Sequence, residues 1–288
     1  MSNTHFVSGA SGQLGRAVVE LLLASGAKVI AGSRSPEKLM DLKAAGAELR
    51  RIDFTDLESV KSALSGVDRA LFVSTDAVGQ RQGPQIQALQ AAAQVGVKHL
   101  VYTSLVSADS PEMAISEEHR ATEIAIQEAF SSYTLLRNNL YAELLFGAVS
   151  QAVSSGQLVT ARGKGKVAWV SRQDCARAAA AALEDGFEGR RTLDIAGPHS
   201  LTGEETAAIL QSVSGQPVQH LAVPAEALKA GMLSAGLPPM MAEILSAFDV
   251  SASKGLLDKS AGDLEALTGK GGRTLQELLE ANRSAWAL

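Results

Sequence analysis

The chain has 288 residues, 46% of them hydrophobic and 20% charged, with a formal net charge of −5. That length suits one large α/β unit or two closely joined lobes, and an acidic balance without a basic stripe excludes nucleic acid as a partner. A single cysteine, Cys175, excludes a disulfide framework or thiolate zinc site, and the five histidines never take HxxxH spacing, so no metal is expected.

Short apolar runs alternate with helical patterns through the first half. Strands are expected at Thr4–Ser8, Lys28–Ser33, Glu48–Phe54, Arg69–Thr75, His99–Ser104 and Tyr133–Arg137, with helices near 13–25, 36–45, 56–64, 84–95 and 117–130. Such alternation predicts a parallel sheet with right-handed crossovers, and unbroken apolar strands predict burial on both faces. Helix starts are marked by Ser35-Pro36-Glu37 and by Asp56 as caps. Beyond residue 140 the pattern loosens. A helix over 141–155, short strands near 158–161 and 167–170, a helix from Arg172 to Asp185, and a strand at Thr192–Ala196 are expected. Helices near 202–214, 224–235, 238–248 and 274–285 follow, with a strand at His220–Val223 and a loop from Ser251 to Gly262. The fold class is therefore α/β, a doubly wound parallel sheet of Rossmann type with a smaller, mostly helical C-terminal lobe. The expected division is 1–150 for a nucleotide-binding domain and 151–288 for a substrate lobe packed on it, the chain interleaving into one compact unit.

The chain opens into His5-Phe6-Val7 without a charged segment followed by an apolar one, and no run of about 18 apolar residues occurs. A cytoplasmic protein that spans no membrane is the expectation.

The segment Gly9-Ala10-Ser11-Gly12-Gln13-Leu14-Gly15 joins the first strand to the first helix. Gly9 permits a tight turn, Gly12 a close approach of backbone to a pyrophosphate, and Gly15 close packing of helix on sheet, while the helix N-terminus offers free N–H groups to phosphate. The spacing is GxxGxxG. Dinucleotide binders that take NAD carry an acid at the end of the second strand to hold the ribose 2′-hydroxyl. Here that strand reads Lys28-Val29-Ile30-Ala31-Gly32-Ser33, with Arg34 at its tip. A guanidinium fork suits a 2′-phosphate, so NADP(H) is the expected cofactor. Asp53 and Phe54 end the third strand and could flank an adenine, Asp53 equally serving as a turn cap. Ser74 and Thr75 end the fourth, beneath the expected cofactor path.

GASGQLGR, the strand tip SR, RIDF, FVSTDAVGQR, VKHLVYTSL, EEHRATE, YTLLRNNLYAE, SRQDCARAAAAAL and the element Ser253-Lys254-Gly255 run through most of the chain in order. Together they resemble the NmrA-like, atypical short-chain dehydrogenase family, and within it most of all the NADPH-dependent type-2 quinone oxidoreductases and triphenylmethane reductases. The resemblance implies that NADPH contacts Gly9 to Leu14, Arg34, Ser74, Thr75 and the segment Asn138, Asn139, Leu140, Tyr141 and Glu143.

The better-known short-chain dehydrogenases use a YxxxK pair. Here Tyr102 is followed four residues on by Val106, Tyr133 by Arg137 and Tyr141 by Leu145. His119 stands where the plant benzylic ether reductases place a lysine. Reducing a ketone leaves an alkoxide, about as weak an acid's base as hydroxide at roughly 15.7, and needs a proton donor. Reducing a quinone leaves a phenolate-like anion near the tyrosine value of about 10, which water can protonate. The missing pair therefore points to hydride acceptors such as quinones or cationic dyes. Tyr141 is the candidate pocket wall or proton donor, Asn138 an orienting group, and His119 a proton donor, a bridge through water, or a partly exposed helix histidine. Arg162-Gly163-Lys164-Gly165-Lys166 reads first as a solvated turn and second as a phosphate or substrate contact, Cys175 as a small core residue, and Trp169 as pocket lining or core cover. Two other readings stay open: an NADP-sensing regulator without turnover, as the resemblance to NmrA implies, and a reductase or epimerase of another substrate. A small-molecule substrate is expected in the catalytic readings, and a homodimer is one arrangement open to the chain.

Overall fold

The computed structural model describes residues 4–259 and 262–286. Seven strands form one sheet in the order β3-β2-β1-β4-β5-β6-β8: β1 (Thr4–Val7), β2 (Lys28–Ser33), β3 (Glu48–Arg51), β4 (Arg69–Phe72), β5 (His99–Leu105), β6 (Tyr133–Asn138) and β8 (Arg190–Ile195). The pairs β1–β2, β2–β3, β1–β4 and β4–β5 are parallel, and Val7 stands opposite both Ala31 and Leu71. Strand order reverses at β1 and β4, the switch point at whose carboxyl ends open α/β sheets bind ligands. The expected doubly wound sheet is present.

Helices α1 (Gln13–Ala24), α2 (Met40–Ala44), α3 (Leu57–Leu64), α4 (Gln82–Gln94) and α5 (Ser116–Ala129) connect successive strands. The face Leu14, Val18, Val19 and Leu22 of α1 is buried, the stripe that a helix covering a sheet requires. Phe6, Ile30, Ala70, Phe72, Leu100, Tyr102 and Leu135 supply the sheet's part of a core that Val60, Leu64, Leu89 and Ile126 complete from the helices. Gly32 is needed inside β2 because a Cβ there would lie 2.3 Å from the Phe6 ring.

By Cα proximity the chain divides into two units. The first holds the chain to Leu105, Glu117–Arg137 and Arg172–Leu193; the second holds Val106–Ser116, Asn138–Ser171 and the chain from Asp194 on. This division does not follow a cut at residue 150, because α7 (Arg172–Glu184) packs on α1 within the first unit. The second unit contains α6 (Phe146–Ser155), α8 (Gly203–Ser214), α9 (Ala225–Ser234), α10 (Pro239–Ser253), α11 (Gly262–Thr268) and α12 (Leu275–Ala281). Its strands β7 (Gln157–Thr160) and β9 (Gln219–Ala222) form a separate parallel pair.

Several elements differ from expectation for local reasons. Ser35 makes no side-chain cap, and Pro36–Leu39 is a 3-10 turn before α2. Asp56 does cap α3, accepting from Ser59 N–H at 3.2 Å. β3 stops short of Phe54 because the Asp53 carboxylate takes both the N–H and the hydroxyl of Thr55. The stretch 167–170 makes isolated bridges, Val167 with Leu201 and Tyr141 with Val170, instead of a strand. The expected 141–155 helix begins as a 3-10 turn over Ala142–Leu145. The loop expected from Ser251 is helical to Ser253, and helix α11 begins at Gly262; positions 260 and 261 lie outside the described residues.

Candidate functional site: the glycine loop and the strand tips

The loop after β1 is built on three glycines with different tasks. Gly9 adopts φ +64, a left-handed conformation that side chains disfavour. A Cβ on Gly15 would sit 2.4 Å from Gly9 O and 2.7 Å from its carbonyl carbon, so Gly15 exists to let α1 close on the loop. Gly12 differs: it is exposed, its backbone (φ −88, ψ 165) suits any residue, and a Cβ would meet nothing nearer than Gly9 O at 3.3 Å. Gly12 is also the N-cap of α1, with no side-chain cap and no acid in the first turn. An uncapped helix start with an open face is where backbone N–H groups and the helix dipole can take a phosphate. Ser11 and Gln13 share that exposed face, whereas Ala10 and Leu14 are buried beneath it. Ser11 Oγ accepts a hydrogen bond from Ser33 Oγ at 3.2 Å, joining the loop to the end of β2.

Arg34 follows β2 and is exposed. An acid does reach it from the neighbouring strand. The Asp53 carboxyl is held below the usual carboxylate range, first by its hydrogen bonds from Thr55 and then by the Arg34 and Arg51 charges. Asp53 is thus occupied as a turn cap. Phe54 stacks on Phe72 with centroids 5.0 Å apart and packs partly buried against the core. Ser74 and Thr75 lie just past β4, their N–H groups donating to Thr103 Oγ1 (2.9 Å) and Gln85 Oε1 (3.0 Å). Those side chains replace the ladder that would have prolonged the strand.

His119, on α5, is 4% exposed, and its Nδ1 lies 3.2 Å from Tyr102 Oη. Burial, helped by the Arg81 charge, lowers its pKa to about 3, and burial pushes the Tyr102 phenol up to about 12. His119 is therefore a neutral imidazole, which corrects its expected role as an ionisable proton donor. The same shift destabilises the fold in acid. The unfolded chain binds a proton near pH 6.5 and the folded one only near 3, so this contribution to stability is complete above about pH 6.5 and lost towards pH 3.

In the second unit, Asn138 Nδ2 donates to Tyr141 Oη at 3.2 Å, while Asn138 Oδ1 is buried without a hydrogen-bond partner. Asn139 holds the fold together: its N–H donates to Ile195 O (2.8 Å), its Nδ2 to Leu257 O (3.0 Å), and its Oδ1 accepts from Leu140 N–H (2.8 Å). Leu140 is buried, and Tyr141 and Glu143 are half-buried at the entry to the Ala142–Leu145 turn. Cys175 is buried in α7. Arg162 corrects its expected place in a solvated turn: it is 2% exposed, lies 5.5 Å over the Trp169 ring, and its Nε is 3.8 Å from Asp249. Trp169 is buried beneath it.

The model of the NmrA-like family matches residues 1–279. The chain belongs to the NmrA-like family. Quinone oxidoreductase 2 of Escherichia coli is 36% identical over 274 residues, 94% of this chain and 96% of the relative. A crystal structure of an NADPH-dependent quinone oxidoreductase from E. coli complexed with NADPH is similar with a TM-score of 0.91 at 34% identity, covering 96% of this chain and 99% of that one. The Citrobacter triphenylmethane reductase complexed with NADP(H) gives 0.88 at 33%, over 97% and 99%.

Within this NmrA-like chain, sequence reading missed the polar face of α5. Ser104 Oγ donates to Glu123 Oε1 at 2.7 Å, and Arg137 grips Glu123 through Nε (2.9 Å) and Nη2 (2.8 Å). Glu123 is fully buried. The signal was in EEHRATE: His119 and Glu123 are four apart and share one helix face. Nothing local shows that this face is turned inwards. Among the described residues no group of acids, histidines and cysteine could hold a metal ion, and no helix is long and apolar enough to cross a membrane.

Proposed function

We propose that this chain is an NADPH-dependent reductase that delivers hydride to a quinone or a comparably flat, electrophilic acceptor. The observation that carries the reading is the open, uncapped start of α1 at Gly12 with Arg34 at the tip of the adjacent strand, in a chain similar along its length to NADPH-dependent reductases. Gly9 to Leu14 would hold the pyrophosphate, Arg34 the 2′-phosphate, and Ser74 and Thr75 the neighbouring ribose and nicotinamide path. Bound there, NADPH supplies a hydride from its nicotinamide ring.

The side chains of this protein then have to place an acceptor and see to one proton. His119 and Tyr102 are buried and face each other, which leaves the half-buried Tyr141 as the hydroxyl beside Asn138. Asn138 Oδ1, buried and without a partner, is a ready acceptor for a ligand N–H or a water. An acceptor whose reduced form is a phenolate can leave charged and be protonated by water, so positioning is the main demand on the protein.

Loss of NADPH absorbance against a panel of quinones, cationic and azo dyes and enones tests the assignment. Tight NADPH binding without turnover by any of them would replace it with a sensor role. Arg34→Ala is expected to weaken NADPH about tenfold or more, the worth of a charge-assisted hydrogen bond, and to leave NADH almost unchanged. Equal losses for both cofactors in paired titrations would remove Arg34 from the site.

Tyr141→Phe is expected to slow turnover by about 10- to 100-fold, and Tyr141→Ala by more, because the aromatic wall goes with the hydroxyl. His119→Gln should stay within about tenfold of the parent, below the usual contribution of a general acid. The pH profile of kcat should show no inflection near the ordinary histidine value, and one that His119→Gln removes would restore histidine as the acid.

A further inference from the structure

The loop 73–80 between β4 and α4 runs beside the glycine loop. Val73 N–H donates to Ser8 Oγ at 2.9 Å, and a Cβ on Gly9 would lie 3.6 Å from Val73 Cβ. Asp76, Ala77, Gly79 and Gln80 are exposed, so little apolar burial holds this segment. Side chains from outside the loop hold it instead. Glu118, in the first turn of α5, accepts from Gly79 N–H through Oε1 and from Arg81 Nε through Oε2, both at 3.0 Å. Arg81 Nη1 in turn donates to Thr75 O at 2.8 Å.

The Arg81 and Glu118 side chains are 4% and 13% exposed, so water screens their attraction little. The pair also keeps a cost, since Arg81 Nη2 is buried without a partner. Ion pairs out of water are poor devices for stability and better devices for fixing one arrangement. This one closes a ring through Thr75, Gly79, Arg81 and Glu118 around the segment that follows Ser74.

We propose that the Arg81–Glu118 pair is a latch that holds loop 73–80 in the arrangement that receives the dinucleotide, making both positioning residues for cofactor binding. The inference rests on the NADPH-reductase reading above. When only part of the population has the receptive loop, apparent affinity falls by that fraction while chemistry in the bound state is untouched. The latch should therefore act on KM for NADPH and not on kcat.

Steady-state kinetics and hydrogen exchange on the full chain test it. Glu118→Gln is expected to raise KM for NADPH about tenfold, as loss of a large share of the receptive population would, with kcat at saturating NADPH within about twofold. Amides 74–80 should exchange faster in the free variant and regain protection with NADPH. Arg81→Lys, which keeps the charge without the fork to Thr75, should fall between parent and Glu118→Gln. An unchanged KM in a folded variant overturns the latch, as does an equal loss of kcat. If Glu118→Gln does not fold, the wild-type exchange map decides: amides 74–80 must gain protection on NADPH binding, and no gain overturns the proposal. Wild-type protein that fails to bind NADPH would refute the reductase reading; wild-type binding with an indifferent loop would refute the latch alone.

Discussion

A Gly12→Val chain is expected to fold and to lose its dinucleotide, with affinity for NADPH down about a hundredfold or more, some 2.8 kcal/mol. In the proposed binding mode, backbone approaches the pyrophosphate closely at this position. The free protein has no such need. Gly12 lies at an ordinary φ of −88, and a Cβ there makes one tight contact, Gly9 O at 3.3 Å, which asks the loop to give by only a few tenths of an ångström. The expected loss of stability is small, within the few tenths to about 2 kcal/mol that N-cap changes produce. Gly15→Ala should do the reverse. Its Cβ would lie 2.4 Å from Gly9 O and 3.0 Å from Ser8 O, backbone atoms that cannot move without opening the loop. That variant should fail in thermal melts before any binding assay. Gly12→Val with parental melting and parental NADPH affinity would make the whole loop structural.

Glu123→Ala should lower unfolding free energy by about 3–5 kcal/mol, the range for breaking a buried ion pair from one side. Glu123 is fully buried, and its removal takes the fork partner from Arg137 and the acceptor from Ser104. The contrast is Asp68 with Lys98, whose side chains are 30% and 77% exposed at 2.8 Å. Breaking that surface pair with Lys98→Ala should change stability by no more than about 1 kcal/mol. Denaturant titrations of both variants measure the difference. A Glu123→Ala loss below about 1 kcal/mol would mean that Arg137 is satisfied without Glu123.

What the amino-acid order determined by itself was whatever depends on neighbours in the chain. The alternation of apolar runs with helical periods located the sheet and its crossovers, because two-sided burial and 3.6-residue periodicity are local patterns. The glycine loop was legible because a left-handed turn at Gly9 and a close helix contact at Gly15 each demand a missing side chain within a few consecutive residues. Arg34 could be picked out by its place after β2. Strand ends were overextended at Phe54 and Thr75, where side chains from Asp53, Thr103 and Gln85 intercept backbone N–H groups.

Only the tertiary structure decided the charge states and the partners. His119 is neutral because of burial and the Arg81 charge, a guanidinium brought beside it from 38 positions earlier in the numbering. Arg162 lies in a glycine-rich, lysine-flanked stretch that resembles a surface turn, yet Trp169 and Asp249 enclose it. Asn139, in a motif that resembles cofactor-contacting segments, spends its amide on Leu257 and Leu140. Burial and hydrogen-bond partners come from segments far apart in the chain, and desolvation depends on all of them at once. The physical reason for the divide is range: dihedral preference and periodicity act over a few residues, whereas the dielectric around a side chain is set by everything folded against it.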